Sequence, residues 1–367
     1  MTDRRALSRR LSALRRLCRR RGVGAALLTD RRSVRYFTGF TGEDSFLLVG
    51  RRWARLLTDG RFAEQARIEC PRLKAVVRSG RMIDAIASAL AGRRVRRLGI
   101  EGGDMTVAFK TVVDRGIAPA RTKPFGGEIE SLREVKDSGE LSAIRRALRA
   151  AEGAFSALLG GGAKGFAGRT EREVAAELDY RMRLAGADGA AFETIVAAGP
   201  HAALPHYRPG GSRIRRGEAV LIDWGAVVDG YCCDLTRVVF LGRIPSPIAQ
   251  VYEVVLRAQA AGIRAVGPGV ACGSADAAAR AVIERAGYGK AFAHGLGHGI
   301  GLDVHEGPRI GRGTRQRLRA GMVVTVEPGV YIPGVGGVRI EDDVLVTPAG
   351  RRRMSSLPRD LKAMALR

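Results

Sequence analysis

The segment Ala219-Val220-Leu221-Ile222-Asp223-Trp224 sets a carboxylate inside an apolar, strand-forming run. An unpaired carboxylate cannot be buried there cheaply, so whatever fold the chain adopts must bring this acid a partner. Downstream, Asp229-Gly230 is the dipeptide of a type I′ hairpin turn, and a second strand-forming run extends from Tyr231 to Phe240. Folding about that turn puts Asp223 opposite Thr236, with Asp234 two residues before Thr236 on the returning strand. The period of two then places Asp223 and Asp234 on one face as diagonal neighbours, within reach of a shared ion.

A second pair of acids repeats the problem. Met322–Glu327 reads as a buried strand ending in an acid before Pro328-Gly329, and in Gly337–Glu341 the side chains of Arg339 and Glu341 share a face. Each acid alone has an ordinary explanation: Asp223 as a core acid held by hydrogen bonds, Glu341 as the partner of Arg339. Together, four acids in apolar, strand-rich settings repel one another unless a counter-charge of similar size is present. Two divalent cations supply it.

Three of the five histidines, His294, His298 and His305, fall in Phe292–His305, where glycine flanks His298 on both sides. Those glycines are expected to clear room for the backbone to approach an ion or substrate. His201 and His206 complete the set, so acid–base and metal chemistry belongs to the last two-fifths of the chain.

At 367 residues, 46% hydrophobic and 27% charged, the chain suits a globular protein with two cores. No apolar stretch reaches the roughly 20 residues needed to span a bilayer, and the charged start leads into no apolar block of a signal peptide. The net charge of +25 can attract nucleic acid without a specific site. Its arginines are scattered and lack interleaved aromatics, so a solvated surface with at most nonspecific adhesion is expected. Five cysteines without a C-x-x-C pattern point to a reducing cytoplasm.

Arg4 to Arg21 is expected to form a helix with Leu7, Leu11, Leu14 and Leu17 or Cys18 on one stripe and arginines elsewhere. Its arginine-rich character resembles a targeting peptide, but the strand that follows Gly22 at once favours a structural helix. Strands near 24–29, 45–49, 54–58, 73–77 and 96–101 alternate with helices near 60–69 and 82–91, which predicts an α/β N-terminal domain over 1–125. Residues 119–128, with Pro119, Pro124, Gly126 and Gly127, read as a connection.

The second domain, 126–367, is expected to be α+β. A long helix over 133–159, a helix with a Thr170/Glu173 capping box and a strand at 191–198 form one unit. A helix over 247–266, a Ser274-initiated helix and a strand form another, about 100 residues later, which suggests a duplication with the active groups at its seam.

With these residues in place, the chain resembles the pita-bread metallopeptidases, which include methionine aminopeptidase, Xaa-Pro aminopeptidase and prolidase. The resemblance rests on the eleven-residue Asp223–Asp234 spacing, on Gly-His-Gly-Ile-Gly around His298, and on the strings Val-Glu-Pro-Gly and Arg-Ile-Glu-Asp. It implies a pita-bread catalytic domain and a dinuclear ligand set of Asp223, Asp234, His298, Glu327 and Glu341. The ions would be manganese, with cobalt, iron or zinc as alternatives, and would generate a bridging hydroxide near neutral pH. The Xaa-Pro branch is implied by His206 in Leu-Pro-His, by the run from Glu327 to Asp342, and by a creatinase-type N-terminal domain containing Tyr36–Gly42.

For that branch the resemblance implies an Xaa-Pro aminopeptidase acting on proline-containing peptides, with roles besides metal binding for Glu327 and for three histidines. Glu327 would shuttle a proton, His294 and His305 would hydrogen-bond substrate, and His206 would contact the peptide beyond the scissile bond. Arg339 would orient a ligand such as Asp234, His201 would be structural, and Cys232 would be a small packing residue on the ligand face. A homodimer is expected. The alternatives are prolidase, which uses the same ligands, and an inactive pita-bread module that binds nucleic acid or protein; creatinase lacks the metal set.

Overall fold

The computed structural model describes residues 4–244 and 246–367, which divide into two units, Met1–Arg133 and Glu134–Arg367. In the first unit the chain runs α1 (Arg4–Arg21), β1 (Ala25–Leu28), α2 (Arg31–Thr38), β2 (Phe46–Gly50), β3 (Ala54–Asp59) and α3 (Ala63–Glu69). It continues with β4 (Lys74–Arg78), α4 (Met82–Leu90), β5 (Arg97–Glu101), α5 (Val107–Gly116) and β6 (Arg121–Phe125).

The six strands form one sheet in the order β4-β3-β2-β1-β5-β6. β1 lies inside it and is buried along its length. Alternation sends Ala25 and Leu27 into a cluster with Leu48, Leu57, Ile86, Leu98 and Val113, and Ala26 and Leu28 to the other face.

Two local expectations change here, and one helix was not anticipated. On α1 the inward stripe is Ala6, Arg10, Leu14, Leu17 and Cys18, so an arginine sits among the apolar residues. Arg10 is accommodated because its Nη1 donates to the Tyr36 carbonyl at 2.9 Å and its guanidinium lies 4.2 Å from the Tyr36 ring centroid. Residues 121–125, read as part of a connection, form β6, where Pro124 is tolerated because the strand pairs only with β5 at the sheet edge. α2, unmarked by periodicity in its eight residues, is set by its ends: Asp30 caps its first N–H groups and Gly39 closes it at φ 80°.

The second unit opens with α6 (Ser138–Leu159) and α7 (Glu171–Leu184), both started by capping boxes, Asp137 with Glu140 and Thr170 with Glu173. Then come β7 (Gly189–Ala190), β8 (Ile195–Ala198), β9 (Ala219–Trp224), β10 (Ala226–Val228), β11 (Tyr231–Cys232) and β12 (Leu235–Leu241). α8 (Ser246–Ala265) and α9 (Cys272–Arg285) precede β13 (Gly297–Gly299), β14 (Glu306–Ile310), β15 (Val323–Val326) and β16 (Gly329–Ile332). β17 (Gly336–Arg339), β18 (Asp342–Thr347), β19 (Gly350–Arg353) and β20 (Ala365–Leu366) complete it.

The duplicated plan is visible: a helix pair precedes the sheet β20-β12-β9-β8, and a second helix pair precedes β14-β13-β15-β18-β19. One apolar core underlies both halves. α9 begins at Cys272 rather than Ser274, because its first N–H groups are satisfied from outside: those of Cys272 and Gly273 donate to the carbonyls of Gln316 and Thr314. No helix of the described residues is long and apolar enough to cross a membrane.

Candidate metal centre

The hairpin turns where its dipeptide predicts, with Asp229 at φ 50° and Gly230 at φ 71°. Thr236 therefore stands opposite Asp223 on β9, and Asp234 lies one residue before β12. From the other half, His298 is on β13, Glu327 follows β15 and Glu341 precedes β18. The halves meet where Thr236 and Glu341 form a single bridge, the Glu341 N–H donating to the Thr236 carbonyl at 3.2 Å. The Asp234 N–H donates to Asp343 Oδ2 at 3.3 Å.

This meeting gathers the acids. Ligand atoms of Asp234, His298 and Glu341 lie within 4.8 Å of one another. His298 Nε2 is 3.3 Å from Glu327 Oε1 and 3.8 Å from Asp234 Oδ2. Its Nδ1 is 3.0 Å from the Gly299 carbonyl, which assigns the proton to Nδ1 and leaves Nε2 to face the acids. Asp223, Asp234 and Glu341 are buried, and each keeps one buried carboxylate oxygen without a hydrogen-bond partner.

The electrostatics express the crowding. Burial, then the charges of neighbouring acids, pushes Asp234 and Glu341 well above the usual carboxylate range. Burial raises Asp223 too, though Arg339 opposes it. Glu327 goes the other way: burial would raise it, but His298 beside it holds it below its ordinary value. The His298 ring is correspondingly raised despite burial, by Glu327. Such a set fits cations well, since oxygen atoms without partners and carboxyls that resist ionisation are what a multiply charged ion would satisfy.

Arg339 contacts Asp223 rather than Asp234. Its Nη2 donates to Asp223 Oδ2 at 2.5 Å, Nε to Thr236 Oγ1 at 3.1 Å and Nη1 to Tyr331 Oη at 2.7 Å. Asp223 and Thr236 are cross-strand partners, so one guanidinium spans both, whereas Asp234 lies beyond β12's first residue. The Thr236 hydroxyl donates onward to Glu341 Oε2 at 2.6 Å. Arg237, fully buried, donates to the Glu341 carbonyl at 2.6 Å and pairs with Asp342 at 2.8 Å. Neither role is marked in the sequence, where both residues read as strand formers.

The glycines beside His298 serve the sheet, not an ion. A Cβ on Gly297 would press into the Thr325 carbonyl oxygen, and one on Gly299 into that of Gly307. Close approach of neighbouring backbone is thus the reason for both.

The other histidines lie around this core. His294 Nε2 accepts from the Tyr331 hydroxyl at 2.9 Å, and burial lowers its ring below the ordinary value. His305 is exposed, with its ring centroid 4.4 Å from that of His298. His206 is exposed beyond the turn Gly199–Ala203. His201 is 2.8 Å from buried Glu171 and stacks on Tyr207, in keeping with a structural part. The Cys233 thiol is fully buried, and burial, with the charges of Asp343 and Asp234 nearby, raises it; alternation along β11 does not single it out because β11 ends at Cys232. Asp343, which the sequence reading passed over, is pushed up to about 8 by burial.

A cleft of about 990 Å³ borders His294 and is lined by Arg280, Lys290, Arg309 and Arg312 among others. Arg309 is the cross-strand partner of His298.

Comparison with known proteins agrees with this geometry. Residues 142–348 match the model of metallopeptidase family M24, and residues 10–135 that of the Creatinase/Prolidase N-terminal domain. An uncharacterized peptidase of Bacillus subtilis is 37% identical over 352 residues, covering 96% of this chain and 99% of its own. Among solved structures, an Xaa-Pro dipeptidase from Bacillus anthracis superposes with a TM-score of 0.94 at 36% identity, over 98% of this chain and 100% of that one. An X-Pro aminopeptidase from Thermotoga maritima gives 0.86 at 36% identity, over 92% and 97%.

Proposed function

Given that the chain belongs to metallopeptidase family M24, we propose that it is an Xaa-Pro exopeptidase, hydrolysing the amide bond between an N-terminal residue and proline. The observation that carries the reading is the set of buried carboxylates, each with an unpartnered oxygen, around the Nε2 of His298. Asp223, Asp234, His298, Glu327 and Glu341 would hold two divalent cations, manganese first among the candidates, which supply Lewis acidity at the scissile carbonyl and an acidified water.

The chain's own groups then divide the remaining work. Glu327, kept ionised by His298, takes a proton and passes it to the departing proline nitrogen. His305 and His294 hydrogen-bond the substrate and the tetrahedral oxygen as charge develops. His206 contacts the peptide beyond the scissile bond. Arg339 holds Asp223 in place and, through Thr236, steadies Glu341.

Two substrate lengths suit this chemistry. A dipeptide is favoured by the likeness to the Xaa-Pro dipeptidase of Bacillus anthracis. A longer peptide, as expected from the sequence, is favoured by the likeness to the X-Pro aminopeptidase of Thermotoga maritima. We place the dipeptide first. Five buried cysteines without a C-x-x-C pattern support a cytoplasmic setting.

The test is cleavage of Gly-Pro beside a longer Xaa-Pro-led peptide by manganese-reconstituted protein. Turnover of the dipeptide alone supports prolidase activity, and turnover of the longer peptide supports the aminopeptidase. Silence on both with metal bound removes the proline assignment.

A further inference from the structure

Between His298 and Gly299 the pairing of β13 with β14 shifts register, so that His298 faces Arg309 while Gly299 faces Glu306. The residues between leave the sheet as a loop that carries His305 back beside His298. What holds this loop lies beneath it. Lys136 Nζ donates to Glu306 Oε1 at 2.6 Å and to the Glu134 carbonyl at 3.2 Å, and the two charged side chains are only 1% and 3% exposed.

The packing around the pair is tight on every side. A Cβ on Gly301 would strike Glu306 Oε1, and one on Gly307 would come within 2.6 Å of Glu134 Oε1. Glu134 is itself fixed by Gln316 at 3.0 Å and Arg319 at 2.9 Å. The Lys136 N–H donates to the Gly321 carbonyl at 2.9 Å, and Val135 bridges Met322, just ahead of β15, which Glu327 follows. The base of the His305 loop and the lead-in to Glu327 are therefore tied to one three-residue segment.

An apolar pair of similar size would fill this space at no desolvation cost, so stability alone does not account for a buried ion pair here. A charge-assisted hydrogen bond does something apolar contact cannot, which is to fix direction. We propose that Lys136 and Glu306 form a clasp that sets the His305 loop against the metal centre, making both of them positioning residues for the reaction. The proposal rests on the reading of His305 as a substrate-contacting group.

The experiment uses the full-length, manganese-loaded protein, Xaa-Pro peptides as substrate, and hydrogen exchange at residues 301–306. His305→Ala should lower kcat/KM by about 10²-fold, the scale of losing one hydrogen-bonding group at a developing charge. Glu306→Gln should lower it by about tenfold through misplacement, with metal content unchanged and loop exchange accelerated. In the His305→Ala background the same change should have less than about a twofold further effect, because the residue it acts through is gone.

Equal losses in both backgrounds would overturn the proposal, as would wild-type kinetics with unaltered exchange. If single variants fold poorly, Lys136→Met with Glu306→Leu removes both charges at once; it should fold, exchange faster at 301–306 and show the same kinetic loss. Native rate and exchange in that double variant would sink the clasp. If the unaltered protein cleaves no Xaa-Pro peptide, the functional reading falls by itself. Exchange in the double variant then decides the clasp: acceleration supports it and no change ends it.

Discussion

The two units bury carboxylates in opposite ways. In the first, Glu101 is 1% exposed, yet its Oε2 accepts the N–H groups of Thr29 and Asp30 at 2.7 and 3.0 Å. Burial pushes it up to about 7, so near neutrality it can carry a proton. Glu64 and Asp84 of that unit stay outside and Asp59 is half-buried, each hydrogen-bonded to an arginine two or three residues away. In the second unit Asp223, Asp234, Glu327, Glu341 and Asp343 converge; among the described residues Arg339 donates to Asp223, and the His298 ring stands 3.3 Å from Glu327. A single buried acid can be carried by backbone donors and a proton. Several around one cavity call for charge from outside the chain.

The sharpest way to break this contrast is to remove one of the crowded acids. Asp234→Asn should lower kcat/KM by about 10³-fold or more and reduce bound metal, read by peptide hydrolysis and elemental analysis. Its metal-free form should melt no lower than the metal-free parent, since a repelling charge has gone; a clearly lower Tm would count against crowding as the dominant force.

Next in size is removal of metal by a chelator. Loading at 100 to 1,000 times Kd should stabilise the protein by about 3–4 kcal/mol, seen as a concentration-dependent Tm. The pH dependence should change sign between the two forms. In the metal-free protein the folded pKa values of Asp223, Asp234, Glu341 and Asp343 are raised, so the folded state binds more protons than the unfolded one. Their stability contribution is complete below about pH 4 and is lost as pH rises toward about 8, the Asp343 value. With metal bound, ions compete with protons and stability should rise over that window. Parallel profiles would sink the idea.

Arg339→Lys tests whether one planar group must reach Asp223, Thr236 and Tyr331 together. A lysine cannot, and a loss of about 10–100-fold in activity or metal affinity is expected. The smallest effect on catalysis belongs to the first unit. Glu101→Gln should leave kcat/KM unchanged while flattening the fall in stability between about pH 4 and pH 7, because glutamine mimics the protonated acid at every pH.

How far this could be read from the chain depended on whether a position is set locally. The Asp223–Thr236 register follows from one turn dipeptide, and the structure reproduces it residue for residue. The capping box at Thr170 is equally local. β6 was hidden because Pro124 argues against a strand unless the edge position is known, and α2 because eight residues give little periodicity. Cys233 escaped because strand alternation stops at a break that only the fold creates. The Thr236 hydroxyl, the Tyr331–His294 hydrogen bond and Asp343 depend on contacts between distant segments, for which no spacing rule exists. Arg339 was expected to orient a ligand such as Asp234, and the ligand it hydrogen-bonds is Asp223, since its reach across β9 and β12 is a property of three dimensions.

Gly297 and Gly299 also limit how the protein can be re-engineered. A methyl at either position would force one strand off its neighbour, carrying His298 with it, so these sites offer no gradual route to altered specificity. Combinatorial libraries aimed at new peptides should leave both untouched and diversify Lys290 and Arg312 at the cleft rim, where side chains can be exchanged without moving backbone.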